Sequence, residues 1–412
     1  MSIFGISSRS SLGIGRVIAV LLVMLVNGST SQAQFTVLHS FTGSDGFAPQ
    51  RSLTASGSTL YGTAYDGGAN NAGTLYEMNA DGTGYQVMHS FGSTGSDGKQ
   101  PFGAPILSGS TLYGVTASGG TTGAGTAYQV NTDGSGYHVV HNFVGLDGQV
   151  PNGALLLSSS TLYGMTFGGG ANGNWGTVFR MNAGGGFQVL HNFSASGTDS
   201  YWPGGALTLS GSILYGAASQ GGSGGVGTVF QINSDGTGYQ VAHNFVGSDG
   251  AQPAGSLTLS GSTLYGMTVQ GGSNGDGTVF KVNLDGTGFQ LLHTFTGSDG
   301  KFPGGSLTLS GSIFYGTTAA GGANGFGTVF QMNSDGTGYQ VLHSFVSADG
   351  QYPVDSLTLS GSTLYGMTNQ GGGGGGGTIF SLKVVPEPST WALMAFGAIA
   401  LLGSGRLHRR SS

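Results

Sequence analysis

At 412 residues, with 85 Gly, no Cys and only 7% charged side chains, the chain is long enough for several ordinary domains, but a fixed internal period points to one repeat architecture. The glycines have no Gly-X-Y period, which excludes collagen, and the alternating Leu, Val, Tyr and Phe between them exclude a disordered Gly/Ser chain. The net charge of −6 hides an asymmetry: Arg9, Arg16, Arg406, Arg409 and Arg410 lie in terminal segments, leaving an acidic body that argues against nucleic acid as a partner.

The N-terminus reads as a secretory signal peptide over residues 1–33. Arg9 and Arg16 precede the apolar run Val17 to Val26, and Ser31-Gln32-Ala33 offers a small-residue cleavage site. The apolar run is short for a membrane-spanning helix. Absence of Cys leaves export open, since disulfides are only one way to stabilise a secreted protein.

From residue 34 to 383 one unit of about 50 residues recurs seven times. Leu-Tyr-Gly or Phe-Tyr-Gly places Tyr at 61, 113, 163, 215, 265, 315 and 365, and a Val-Leu-His-Ser-Phe-like phrase places His at 39, 89, 141, 191, 243, 293 and 343. Within a unit, Ser306 to Ser310 and Ile313 to Thr318 alternate in hydropathy about a Gly-Ser turn. A Gly/Asn loop then leads to Thr328 to Asn333, and Asp335-Gly336-Thr337-Gly338 supplies hairpin chemistry before Tyr339 to Phe345. The pattern predicts a four-stranded meander and an all-β, seven-bladed β-propeller of four-stranded blades. A His phrase opens the array and a Tyr phrase closes it, so Phe35 to Phe41 is expected to complete the last blade. A β-solenoid is the alternative and needs no such permutation.

The repeat resembles the GloVer tandem-repeat family, also called choice-of-anchor repeat proteins. The resemblance rests on the Leu-Tyr-Gly-Met-Thr, Gly-Gly-x-x-Gly-x-Gly-Thr-Val-Phe and Asp-Gly-Thr-Gly-Tyr-Gln-Val-Leu-His phrases across residues 35–383, and it implies no substrate or catalytic residue.

Beyond the repeats, residues 384–412 carry Pro386-Glu387-Pro388, an apolar stretch from Trp391 to Leu402 expected to be a hydrophobic helix, and Arg406, Arg409 and Arg410. In order and kind this resembles the PEP-CTERM sorting signal. The resemblance implies an exosortase-type processing enzyme as a partner and a Gram-negative-type, exopolysaccharide-making bacterium as the source. The apolar stretch would anchor the chain in the membrane, at least transiently, with the repeats outside and the arginines on the cytoplasmic side. A plain short anchor gives the same topology.

Chemistry is sparse. Symmetry spreads the seven histidines around a ring, so they do not converge on one metal ion. Each is expected to be half-buried and bonded to a hydroxyl or to the Asp that follows at 45, 97, 147, 199, 249, 299 or 349. That Asp caps a tight loop, with calcium as the alternative ligand. No cofactor and no nucleophile constellation is expected, and Asp66, Glu77, Asp276 and Asp355 are too scattered for a glycosidase pair.

Variation between copies is more informative. The loops joining fourth to first and second to third strands share one face of the disc and hold Tyr65, Asp66, Trp175, Tyr201, Trp202, Phe302 and Tyr352, whose aromatic rings would stack on sugar rings or fill the loop cores. At a position that is Gly103, Gly153, Gly205, Gly255 and Gly305 in five copies, the first and seventh carry Arg51 and Asp355, a candidate ion pair at the seam. The expectation is a non-enzymatic surface protein that binds extracellular polysaccharide or a matrix protein through the variable-loop face. The alternatives are a polysaccharide hydrolase or lyase acting at the axial cleft and a structural array without a specific ligand.

Overall fold

Four alternating segments per repeat, each too short and too one-sided to be stable alone, fold as an antiparallel sheet, and neighbouring sheets bury one another's faces. The computed structural model describes residues 34–182, 184–353 and 356–384. The chain divides into two units, Phe35–Leu382 and the terminal pair Met1–Gln34 with Lys383–Ser412. The signal peptide, Pro386, Glu387, Pro388, the apolar tail and Asp355 lie outside the described residues.

The described residues form seven antiparallel sheets and no helix, a seven-bladed β-propeller as the repeats predict. Blade 6 is representative: Thr308–Ser310, Ile313–Thr318, Thr328–Asn333 and Gln340–Ser344 follow one another from the innermost strand outward. In blade 7 the outermost strand is Gln34–Ser40, paired to Thr378–Lys383 and through it to Thr363–Thr368 and Thr358–Ser360. The N-terminal strand therefore closes the ring.

Two details depart from the simple alternation. The innermost strand is broken in most blades, so that Phe47–Pro49 and Thr54–Ser56 both pair with Thr59–Asp66, whereas in blade 4 the pieces join as Ser200–Ser210. In blade 6 the outermost strand has a bulge: Val329 faces His343 and Phe330 faces Val341, leaving Leu342 extra, with matching shifts in blades 1 to 5. An inserted residue increases local twist, which suits the outer rim of a radial sheet.

The Tyr-Gly phrase has a packing cause. Gly164 lies opposite Phe179, and a Cβ on Gly164 would stand 2.4 Å from the Phe179 ring; Gly216, Gly266, Gly316 and Gly366 meet the ring of the next strand in the same way. Only glycine lets that aromatic lie flat on the sheet. Around the axis backbones are equally close, since a Cβ on Gly255 would fall 1.9 Å from the carbonyl oxygen of Gly305. Glycine recurs there because adjacent blades touch through main chain.

Blades are joined by the same ring contact seven times. His39, His89, His141, His191, His243, His293 and His343 stack on Tyr85, Tyr137, Phe187, Tyr239, Phe289, Tyr339 and Phe35, at centroid distances of 3.7 to 3.9 Å. The last stack, Phe35 on His343, makes ring closure chemically equivalent to every other interface. Thr358 Oγ1 also donates to the carbonyl of Leu53 at 2.5 Å, joining blades 7 and 1 as Thr308 and Leu357 join blades 6 and 7.

Deletion of residues 35–41 should expose the edge of Thr378–Lys383 and strip His343 of its stacking partner. The expected result is a fall in Tm of more than about 10 °C, a loss of several kcal/mol for a ring of this size, measured by thermal unfolding.

Candidate functional site

Each His of the interblade stacks also holds a loop. Its Nε2 lies 2.9 to 3.4 Å from the carboxylate of Asp45, Asp97, Asp147, Asp199, Asp249, Asp299 or Asp349. The same carboxylates accept backbone N–H bonds, for instance from Thr42, Ser93, Val144 and Val246 at 2.8 to 3.0 Å. Four stacking rings are Tyr, and their hydroxyls add to this lattice: Tyr85 and Tyr339 donate to the carbonyls of Asp45 and Asp299, and Tyr137 to the Asp97 carboxylate. Both expected roles, half-buried His and loop-capping Asp, are present. Among the described residues no three His, Asp or Glu side chains converge on a point that would hold a metal ion.

Burial keeps His39, His141, His243, His293 and His343 below the ordinary imidazole value despite the neighbouring carboxylates, so these rings are neutral at pH 7. Burial pushes Asp97 up, but bonds from His89, Tyr137 and Ser93 outweigh it and hold the carboxyl at about 2. The histidines act as structural clips that tie each loop carboxylate to an interblade stack.

The variable loops lie on one face: the N–H of Gly68 in the second-to-third loop of blade 1 donates to Gly43 in the preceding fourth-to-first loop at 2.8 Å. On this face Trp175, Tyr201 and Trp202, predicted from sequence, come together between blades 3 and 4. Trp175 meets Tyr201 edge to face at 5.1 Å, and Trp202 lies 6.2 Å from Trp175 and 5.3 Å from Tyr201. Phe167, which the sequence reading did not select, stacks on Trp202 at 5.6 Å and 15° and is exposed. Its signal was available, because Phe167 occupies in blade 3 the repeat position that Tyr65 holds in blade 1. Trp175 and Tyr201 also pack against the core of Met165, Leu190 and Phe193, so part of the cluster fills a loop core as well as facing solvent.

Beside Trp175 an open cleft of about 570 Å³ is lined by Asn172, Ser194, Ala195 and Ser196. Its wall from Ser194 to Ser196 belongs to the loop between His191 and Asp199, which, like that between His89 and Asp97, is two residues longer than in the other copies. A second cleft of the same volume lies on the other side of Ser196, against His191, Asp199, Tyr239 and Asn244.

The remaining predicted residues are placed apart from that cluster. Tyr65 meets Phe102 edge to face at 5.8 Å, and Asp66 accepts a long bond from Gln100 at 3.5 Å. Phe302 and Tyr352 stand exposed on blades 6 and 7. Arg51 reaches over the Phe102 ring, 4.7 Å from its centroid, and donates to Asn152 Oδ1 at 2.9 Å, so its guanidinium spans toward blade 3.

Residues 24–225 and 203–400 each match the model of the Gloeobacter/Verrucomicrobia repeat. The chain belongs to that repeat family. No curated protein matches it. Among solved structures it is similar to an oligogalacturonate lyase in complex with manganese, at 15% identity over 88% of this chain and 96% of that one, TM-score 0.55. It is also similar to a puromycin-hydrolysing peptidase of Mycobacterium tuberculosis, at 10% identity over 82% of this chain and 52% of that one, TM-score 0.53. A putative 6-phosphogluconolactonase of Bacteroides uniformis gives 16% identity over 75% and 88%, TM-score 0.50. Three different chemistries on one architecture establish the fold of this family member and nothing about its activity.

The neutral histidines fix the sign of the pH response. The unfolded chain takes up protons from pH 6.5 downward, while the folded ring resists them until the lowered imidazole values are reached. Stability should be level above pH 7 and fall as pH drops through 6.5. The lowered carboxyls of Asp45, Asp97 and Asp199 should carry the decline below pH 4. Thermal unfolding from about pH 8 to about pH 2 checks this, and a Tm that held level or rose below pH 6.5 would contradict it.

Proposed function

We propose that this protein is an exported, surface-associated, non-enzymatic propeller that binds extracellular polysaccharide through its variable-loop face. The aromatic cluster of Phe167, Trp175, Tyr201 and Trp202, flanked by the amide of Asn172 and the hydroxyls of Ser194 and Ser196, carries this reading. Ring faces stack on the C–H faces of sugars, and amides and hydroxyls bond their edges. The bland role, filling loop cores, fits Trp175 and Tyr201 in part but does not account for exposed Phe167. Export and surface attachment rest on the signal-like N-terminus and the sorting-signal-like tail, with an exosortase-type enzyme acting on the latter. A matrix protein as ligand and a hydrolase or lyase are outcomes the experiment separates.

Binding of the ring unit to immobilised polysaccharides, followed by chromatography of the recovered glycan, tests the reading: retention with glycan of unchanged length is expected, and shortened or unsaturated products would make it an enzyme. Trp175→Ala with Trp202→Ala should weaken retention roughly 5- to 150-fold, since aromatic stacking is worth about 0.5–1.5 kcal/mol per ring beyond area burial. Because Trp175 also packs on the core, Tm should fall by only a few degrees, which calorimetry measures.

A further inference from the structure

One position in every blade breaks a rule the rest of the chain obeys. Ala48, Gln100, Val150, Trp202, Gln252, Phe302 and Tyr352 all have φ between 52° and 59°, in the left-handed region. Among the described residues the only other non-glycine positions with positive φ are Asn71 and Ser159, whereas dozens of glycines take it. Side chains other than Asn or Asp are strained there, and β-branched Val most of all. The chain has 85 glycines, yet none of the seven copies places one at this position, where glycine is conformationally cheapest.

The backbone geometry has a structural cause that the side chains do not. Each of these residues donates its N–H to a loop carbonyl of the preceding blade: Ala48 to Gly376, Gln100 to Ala72, Val150 to Ala124, Trp202 to Trp175, Gln252 to Val226, Phe302 to Asp276 and Tyr352 to Phe326, at 2.7 to 3.1 Å. Each is followed by proline, Pro49 to Pro353, and the proline ring lies against the next glycine of that same loop, as Pro101 does against Gly73. This clip between blades dictates the main-chain conformation and would accept glycine. Ala48 is buried and Gln100 accepts a bond from Ser118, so packing explains those two. It does not explain Val150, Phe302 and Tyr352, which are 41%, 37% and 39% exposed.

We infer that this ring of left-handed side chains is the specificity-determining contact surface of the variable-loop face, and that its ligand is a neutral, extended polysaccharide. The inference rests on the polysaccharide reading above. Val150, Trp202, Phe302 and Tyr352 give apolar stations on successive or alternate blades, which suits a chain laid across the face rather than one sugar in a pocket. Gln252 and Gln351 supply amides between them. Lys301, next to Phe302, is held by Asp276 at 3.2 Å, so the local charges are matched. The acidic body as a whole repels a polyanion. Strain that glycine would release, kept at exposed positions that packing does not explain, marks a site whose side chains act on something outside the protein.

The test uses the full chain, a panel of neutral polysaccharides (a β-glucan, an α-mannan and a galactan) and the uronate polymer alginate in affinity electrophoresis. Val150→Gly, Phe302→Gly and Tyr352→Gly together should leave Tm unchanged or higher, because strain is relieved, while retention by the neutral polymer bound by the parent falls at least tenfold. Single variants and Phe302→Asn, which tolerates the left-handed region, guard against an additive folding defect. A clear fall in Tm in the single variants would make these side chains structural and overturn the inference. Unchanged retention would overturn it too, and loss of retention in the Trp175→Ala, Trp202→Ala variant alongside it would leave the polysaccharide reading standing. Binding of alginate in preference to all neutral polymers overturns the ligand class. Failure of the parent to bind any polymer sinks both readings.

Discussion

The ring depends on a three-part clip between neighbouring blades: an imidazole stacked face to face on the next blade's aromatic ring, with its Nε2 tied to a loop carboxylate. A propeller blade has one sheet face against each neighbour, so its stability is a sum of interface terms rather than of a single core. The His-aromatic-Asp unit supplies each interface with a fixed spacing and orientation. Burial favours the neutral imidazole at His39, His141, His243, His293 and His343 against the pull of the neighbouring carboxylate. Repetition of this unit in all seven interfaces, including the one that Phe35 makes with His343, is what lets a chain with two far-apart ends behave as a closed object.

That arrangement consumes the residue types that ordinarily carry chemistry. The loop aspartates spend their oxygens on backbone N–H groups and on His, and the buried hydroxyls pair with each other, as Thr166 does with Thr177 at 2.9 Å and Ser200 with Thr228 at 2.6 Å. The opposite face is no richer: Asp81, Asp235, Asp285 and Asp335 each accept from the N–H and hydroxyl of a Thr two residues on, which is turn chemistry. What is left for recognition is the set of residues that differ between copies, and these gather on the variable-loop face.

Much of this was legible in the sequence because symmetry multiplies weak signals. A single Leu-Tyr-Gly says little, but seven at a period near 50 fix the blade count, and the displaced His phrase fixes the closing strand. The recurring Asp after each His was visible as one of two candidate partners, and the structure selects it over a hydroxyl. Three things were not legible. The stacking partner of each His is one blade away, so no local window contains both, although Tyr85 and its equivalents recur as faithfully as the histidines. The outer-strand bulge at Leu342 leaves no mark on hydropathy, because inserting one residue in a rim strand changes pairing and not composition. The left-handed ring was invisible for the opposite reason: propensity reserves positive φ for glycine, and here interblade hydrogen bonding overrides it at residues such as Val150 and Phe302.

Strain and variability coincide in this molecule, and the coincidence follows from its construction. Around the axis, where the main chain of one blade touches the next, and in the Tyr-Gly phrase, where a ring of the adjacent strand lies on the backbone, the close approach leaves no room for a side chain and glycine is forced. At the clip before each proline the main chain is just as constrained, but side chains of very different size are accommodated, from buried Ala48 to exposed Val150, Phe302 and Tyr352. There the fold sets the backbone and lets the side chain vary from copy to copy. A repeat protein that must keep its interfaces identical has few other positions at which one copy differs from the next without loosening the ring. Trp202, Phe302 and Tyr352 are large where Ala48 is small because the interface tolerates either, so the asymmetry of the face is written into positions that the symmetry of the ring does not read.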